Sequence, residues 1–305
     1  MSKQKERMRR KMQQKRRSRW LMAAGFALVI TAGLWIVVSN RQSQNGSARP
    51  IGRLTTNDFH ALAFSATEPE TVFFGHHNGM MVSRDGGKKW QPMTGFNGDA
   101  MALDAPPSAP QVIYAAGHGV FSKSTDGGRN WESPVTNLPG SDIHGFVADP
   151  DDADRVYANV VGFGIFGSLD GGTTWSALPA NPNIMAMTMA IGGNSQTLYL
   201  PVAQDGLWRS QDGGQSWARV EQKPDEGAIA ALYVRDNSRL YVTTLGNAAG
   251  LYVSEDQGGT WTSTGLNGFF VAIAVSPLDP DHVIVVNDKG EVFASRDGGL
   301  TWSGG

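Results

Sequence analysis

The chain has 305 residues, of which 40% are hydrophobic, so it can bury a large core. Its 26 basic and 28 acidic residues are unevenly distributed, because residues 1–19 hold ten Lys or Arg and a single acid, Glu6, which leaves a formal charge of −11 on the rest. A chain body this acidic is a poor partner for nucleic acid, and the absence of cysteine excludes disulfides, zinc–thiolate sites and cysteine nucleophiles.

The N-terminal segment has the pattern of a membrane anchor. The basic residues 1–19 precede an uncharged stretch, residues 20–38 (WLMAAGFALVITAGLWIVV), which as a helix would span about 28 Å of a hydrocarbon core about 30 Å thick. The positive-inside rule predicts a single-pass helix in the cell membrane, with the N-terminal tail in the cytoplasm and the rest of the chain outside it. The alternative is a cleaved signal peptide, but no small-residue cleavage site closely follows the apolar stretch.

After a polar, aperiodic stretch that is predicted to be a flexible linker (residues 39–50), one motif dominates the chain. It consists of a serine, an aspartate two residues later, a glycine two residues after that, and a tryptophan at the eighth position. The six copies span residues 83–90, 124–131, 168–175, 210–217, 254–261 and 295–302, and their tryptophans lie 41 to 44 residues apart. A repeat of this length indicates an array of small sheets that cannot bury their faces alone.

The segments between the motifs predict four strands per repeat. In the third repeat these are residues 143–148, 155–160, 164–168 and 174–177. Six such sheets closed in a ring form a six-bladed β-propeller, which we assign to residues 51–305. The last repeat ends soon after its tryptophan, so we predict that residues 50–54 supply the missing outer strand of the sixth blade.

The repeated motif is interpreted as a structural turn between the third and fourth strands. Its serine and aspartate can hydrogen-bond backbone amides, its glycines allow positive φ angles, and its tryptophan packs between blades, where truncation would cost about 3–5 kcal/mol. The six aspartates with this predicted role are Asp85, Asp126, Asp170, Asp212, Asp256 and Asp297.

The pattern Ser-x-Asp-x-Gly-x-Thr-Trp resembles the Asp-box, or BNR, repeat of the sialidase-like propeller superfamily, which includes VPS10-like sortilin receptors, xyloglucan-active hydrolases and the photosystem II assembly factor. Thr174-Trp175 and Thr260-Trp261 match it closely, whereas Lys89, Asn130 and Ser216 replace the threonine. The resemblance covers about 255 residues from Ile51 onward. It implies an all-β six-bladed propeller, here preceded by one transmembrane helix, with the motifs on the face away from the ligand site.

That opposite face, which we call the funnel face, is made by the starts of the inner strands and by the turns between second and third strands. Five of the six histidines map to it, in blades one to three, and His282 maps to the motif face. The candidate ligand-binding residues are therefore His60, His76, His77, His118, His144 and Asp99. These side chains could bind a transition metal or act as acid and base, or they could be polar loop residues without a role. No other cofactor is predicted.

The sequence favours a binding module over an enzyme. Sialidases clamp a substrate carboxylate with three arginines, but the arginines of this chain map to the motif face. The predicted function is a membrane-anchored, extracytoplasmic propeller that binds or assembles with a protein or glycan ligand. The alternative is a polysaccharide-active glycoside hydrolase that uses a carboxylate pair on the funnel face, for which Asp58 and Asp142 are the weak catalytic candidates.

Overall fold

The computed structural model describes residues 48–179, 186, 188–192, 195–202, 206–220, 228–233, 239–244 and 249–303. The predicted cytoplasmic tail and membrane anchor, and most of the predicted linker, lie outside these residues. Within them, we find no helix with the length and apolar character needed to cross a membrane.

The described chain folds into six antiparallel sheets, one for each repeat. The first contains β2 (Ala61–Phe64), β3 (Val72–His76), β4 (Gly79–Ser83) and β5 (Gln91–Pro92), and the second contains β6 (Ala102–Asp104), β7 (Ile113–Gly117) and β8 (Val120–Ser124). The third contains β9 (Ile143–Ala148), β10 (Val156–Val160), β11 (Gly164–Ser168) and β12 (Ser176–Ala177), and the fourth contains β13 (Ala190–Ile191), β14 (Leu198–Val202), β15 (Gly206–Ser210) and β16 (Ala218–Arg219). The fifth contains β17 (Ala228–Tyr233), β18 (Leu240–Thr244), β19 (Gly250–Ser254) and β20 (Thr262–Asn267). The sixth contains β21 (Phe270–Val275), β22 (Val283–Asn287), β23 (Glu291–Ser295) and, from the start of the chain, β1 (Gly52–Arg53).

The sheets close into a ring. Each inner strand contacts a strand of the next sheet, and β2 of blade one contacts β21 of blade six. The buried side chains form six clusters, each shared by two neighbouring blades, as between Phe74 of blade one and Val286 of blade six. Because the described sheets bury their faces against their neighbours, the ring is the unit of stability. The predicted six-bladed all-β propeller is confirmed.

The two ends of the described chain complete the sixth blade together. Gly52 and Arg53 pair with Val292 and Glu291, as predicted. The N–H of Ser303 donates to the carbonyl of Ala294 at 2.9 Å, and the N–H of Ile51 donates to that of Val292 at 2.8 Å. In blade three, Ser176 and Leu178 occupy the corresponding positions, opposite Gly167 and Ile165. One outer strand is therefore built in register from both ends of the domain.

Blade two departs from the expected four strands. Its outer segment makes only an isolated bridge, in which Lys123 and Glu132 exchange two backbone hydrogen bonds. In blades one, three and four, the residue three positions after the tryptophan has an N–H that donates to the third strand, as Leu178 does to Ile165 at 2.9 Å. Blade two has Pro134 at this position, and proline has no N–H, so the strand ends early.

The repeated motif forms the expected turn in every blade. In blade three, the hydroxyl of Ser168 donates to Asp170 Oδ1 at 2.7 Å and accepts the N–H of Gly172 at 3.0 Å. Asp170 Oδ1 in turn accepts the N–H groups of Thr173 and Thr174 at 3.1 and 2.8 Å. The same serine–aspartate hydrogen bond occurs for Asp85, Asp126, Asp212, Asp256 and Asp297. Backbone donors hold the pKa of Asp170 at about 2, so the carboxylate stays charged and keeps the turn closed.

Candidate functional site

The funnel face brings together side chains that are distant in sequence. Asp58 and His60 precede the inner strand β2, and His77 lies in the turn between β3 and β4. His118 lies in the corresponding turn between β7 and β8. The remaining members, Asp99, Asp142 and His144, lie at the starts of the inner strands of blades two and three. The same topological position in successive blades therefore places these groups side by side.

The first group, Asp58, His60 and His77, belongs to blade one. His60 Nε2 lies 3.1 Å from His77 Nδ1, and Asp58 Oδ1 lies 3.5 Å and 3.3 Å from these two nitrogens. Asp58 Oδ1 also accepts the backbone N–H of His77 at 2.8 Å. Burial, followed by the proximity of His77, lowers the pKa of His60 to about 4, so this imidazole is neutral at pH 7.

The second group, His118, Asp142 and His144, joins blades two and three. His118 Nε2 lies 3.3 Å from His144 Nε2, and Asp142 Oδ1 lies 3.0 Å from His144 Nε2 and 3.7 Å from His118 Nε2. The other ring nitrogen of His118, Nδ1, contacts Asp99 Oδ2. Burial raises the pKa of Asp142, but its hydrogen-bonding contact with His144 and the electrostatic influence of His144 and His118 outweigh this effect, so the pKa is lowered.

A ring contact links the two groups into one row. The imidazoles of His77 and His118 stack at 5.4 Å between centroids with an interplanar angle of 17°. The row of four imidazoles therefore runs in the order His60, His77, His118 and His144. His76 is half-buried beside it, and its Nδ1 accepts the N–H of Asn78 at 3.2 Å. Burial lowers the pKa of His76. Of the predicted ligand-binding histidines, His76 alone stays outside the row.

The three carboxylates of the row differ in whether they accept a backbone hydrogen bond from the turn of their own blade. Asp99 Oδ2 accepts the N–H of His118 at 3.0 Å, as Asp58 does for His77, so both aspartates hold the turn of their own blade. In blade three, the corresponding N–H, that of Val161, donates instead to the backbone carbonyl of Asp142 at 2.8 Å. The Asp142 carboxylate is therefore not needed to accept this N–H, and it faces the imidazoles.

The pairing of Asp99 with His118 was not recognised from the sequence. A signal was present, because both Asp58–His77 and Asp99–His118 are separated by 19 residues. Two equal separations at equivalent repeat positions predict equivalent contacts. This spacing is typical of a capped turn and does not by itself indicate a functional site.

Three of the described arginines lie near the motif turns, as predicted. Arg155 is beside Asp149 and Asp152 in the turn after β9, and Arg239 and Arg296 form ion pairs close to the motif turns. Within the described part of the chain, none of the hydrogen bonds and ion pairs of the histidine row involves arginine or lysine. A clamp of three arginines for a substrate carboxylate is therefore not found among the described residues of the row.

The fold and the turn chemistry define the class of protein: a six-bladed propeller with a serine–aspartate turn in each blade. Among known families, the profile of Sortilin-Vps10, described as sortilin, neurotensin receptor 3, matches residues 205–304, about a third of the chain. No curated protein sequence matches the chain significantly.

The solved structures similar to this chain include GH74 enzymes and YCF48. The GH74 xyloglucanase from Xanthomonas campestris is 17% identical with a TM-score of 0.61, over 84% of this chain and 46% of that one. The chain thus spans about half the length of that enzyme. YCF48 bound to D1 peptide is 18% identical with a TM-score of 0.57, over 85% and 86% of the two chains. YCF48 from Cyanidioschyzon merolae is 15% identical with a TM-score of 0.56, over 82% and 99%. The predicted resemblance to this propeller superfamily is confirmed for the fold.

Proposed function

We propose that the chain is a binding or assembly module that holds a protein or peptide ligand on the funnel face of blades one to three. The observation that carries this proposal is the row of four contacting imidazoles with its three carboxylates. The side chains of His77, His118 and Asp142 are 41%, 46% and 44% exposed, so a ligand can reach them. The blades close through apolar clusters elsewhere, so the row is not needed for ring closure.

The chemistry of the row suits a peptide. Neutral imidazoles both donate and accept hydrogen bonds, and the carboxylates favour amide or cationic donors on a partner. Phe163, in the turn between β10 and β11 of blade three, is 53% exposed on the same face and offers an aromatic contact. The peptide complex of YCF48 supports the proposal by example, because that protein has this fold and binds a peptide.

Site-specific crosslinking in native membranes tests this proposal. A photoreactive phenylalanine analogue at Phe163 is expected to capture one dominant protein. The matched control carries the same probe at Leu300, which is 80% exposed in a motif turn on the opposite face, and should not capture that protein. Capture should decrease when His118 is replaced by Ala. Equal capture from both positions, or capture that ignores the His118 substitution, would reject a funnel-face partner.

We further propose that residues 20–38 anchor the chain in the cell membrane, with the propeller outside the cytoplasm. The supporting observation is the uncharged stretch that follows ten positive charges. The anchored chain should remain in the membrane pellet after carbonate extraction and keep its N-terminal residues. Release into the supernatant with a shortened N-terminus would instead indicate a cleaved signal.

The second candidate function is glycoside hydrolysis. The supporting observations are the exposed carboxylate of Asp142, whose pKa is lowered despite burial by its contacts with His144 and His118, and the GH74 xyloglucanase of the same fold. Asp58, the other candidate, also accepts the backbone N–H of His77. Hydrolysis of aryl glycosides or polysaccharides that is lost in Asp142→Asn and Asp58→Asn would establish this function in place of the first.

A further inference from the structure

The second group of the row has the geometry of a metal site. His118 Nε2, His144 Nε2 and Asp142 Oδ1 form a triangle with sides of 3.0, 3.3 and 3.7 Å. A point equidistant from all three atoms lies about 2 Å from each, which is the usual bond length of Zn²⁺ to imidazole nitrogen and carboxylate oxygen. The two ring centroids are 5.1 Å apart, farther than the Nε2 atoms, so the rings converge on their Nε2 ends.

We propose that His118, Asp142 and His144 bind one divalent transition-metal ion. Two imidazoles and one carboxylate are the donor set that zinc and its neighbours in the first transition series accept. Because His118 and Asp142 are exposed, a fourth coordination position faces solvent, where water or a group from a partner can bind.

Asp99 supports this assignment as a positioning residue. It is 8% exposed, and its Oδ2 contacts Nδ1 of His118 and accepts the backbone N–H of the same residue. A buried carboxylate at Nδ1 keeps the ring proton there, so the lone pair of His118 is on Nε2, the atom that faces His144 and Asp142. A carboxylate behind a metal-bound histidine fixes the ring and raises its basicity.

The environment of Asp142 Oδ1 supports the same assignment. This oxygen is inaccessible to solvent and lies 3.0 Å from His144 Nε2 and 3.7 Å from His118 Nε2, and when both nitrogens present lone pairs to a shared ion it has no hydrogen-bond donor within the described part of the chain. A buried carboxylate oxygen without a donor is costly, and a bound cation would remove that cost. His144, which is 9% exposed, has little freedom to turn away.

The blade-one group is a weaker candidate for the ion. Its triangle, with sides of 3.1, 3.3 and 3.5 Å, is similar. However, Asp58 Oδ1 already accepts the backbone N–H of His77 at 2.8 Å. The ring centroids of His60 and His77 are 4.3 Å apart and their nitrogens 3.1 Å apart, so these rings converge less than those of His118 and His144. We therefore assign the ion to His118, Asp142 and His144.

Calorimetric titration of the purified, chelator-treated full-length chain with Zn²⁺ tests this assignment, and Co²⁺ provides a visible spectrum that reports nitrogen ligation. The wild-type chain should bind Zn²⁺ and show a Co²⁺ absorption band. His144→Ala and His118→Ala should each lower the affinity at least 100-fold and abolish the band. Asp99→Asn should weaken binding about 10–100-fold while retaining the band, as expected of an outer-shell residue.

His76→Ala is the matched control, because His76 lies on the funnel face but outside the row, and it should leave the affinity unchanged. His60→Ala distinguishes the blade-one group from the assigned triangle. The His118 side chain is 46% exposed, so the His118→Ala variant is expected to fold, and thermal melting should confirm this. No binding to the wild-type chain would overturn the proposal, as would a loss of binding in His60→Ala with normal binding in His144→Ala. Because the titration contains no protein partner, its failure is distinguishable from failure of the crosslinking experiment.

Discussion

Leu54 offers a sharp test of how the ring closes. It follows β1, its N–H donates to the carbonyl of Gly290 at 2.8 Å, and its side chain is 2% exposed in the apolar cluster between blades six and one. If residues 51–54 were not docked there, Leu54 would lie in solvent and its size would not matter. Its contribution to stability therefore reports the closure directly.

Replacement of a buried leucine by alanine usually costs about 2–5 kcal/mol. In a domain of this size, each kcal/mol lowers the melting temperature by about 2–4 °C, so Leu54→Ala should reduce it by about 5–15 °C. Thermal unfolding followed by circular dichroism measures the change. Val135→Ala is the control, since Val135 is 92% exposed, and should leave the melting temperature unaltered.

A decrease of less than about 2 °C in Leu54→Ala would refute the closure by the N-terminal segment. Deletion of residues 49–54 should be more damaging, because it also removes the hydrogen bonds from Arg49 to Ser303 and from Ile51 to Val292. It would leave the edge of β23 unpaired, so aggregation should accompany the loss of stability.

Two further predictions concern single residues away from the funnel face. Gln257 has φ of +62° where the other five motifs have glycine, so Gln257→Gly should relieve left-handed strain and stabilise the chain by up to about 1 kcal/mol in urea unfolding; a destabilised variant would contradict this. His282 is 1% exposed against Phe64, and burial, then the charge of Arg296, lowers its pKa to about 4. An unfolded histidine titrates near 6.5, so the unfolded state binds more protons between these values, and stability should fall as the pH drops from about 6.5 to about 4, by up to about 3 kcal/mol. His282→Phe should be less sensitive to pH over this range in parallel unfolding curves, and identical pH dependence would contradict the assignment.

The scaffold was predictable from the sequence because it is repeated. Six copies of one motif established the number of blades, the face of each turn and the need for a strand from the N-terminal side. Local chemistry decided the exceptions: Pro134 shortens the outer strand of blade two because it lacks an N–H, and Gln257 takes up a glycine conformation. Both residues were visible in the sequence, but their effect depends on hydrogen-bond positions that only the register of the strands shows.

The candidate site was predictable only as a set of residues on one face. Topology placed His60, His77, His118 and His144 there, but repeat position alone did not separate His76, the immediate neighbour of His77, from the row. Adjacent residues of a turn point in different directions, and a one-residue difference decides which imidazole meets the next blade. Contacts between blades, such as the stacking of His77 on His118, join residues 41 positions apart and have no local signal.

Comparison of the blades shows which aspartates of the row stabilise a turn and which one is left to interact with a ligand. Asp58 and Asp99 occupy equivalent positions, and each accepts the N–H of the turn that follows. A carboxylate bound in this way is explained by the stability of its own blade. In blades three and six, a backbone carbonyl accepts the equivalent N–H, from Val161 and Asp288 respectively. The turn therefore does not need an aspartate at the start of the inner strand, since in blade six the backbone carbonyl of Phe269 accepts the N–H. Since the carboxylate of Asp142 is not required by its turn, its position against two imidazoles of different blades calls for another explanation, and a bound cation supplies one.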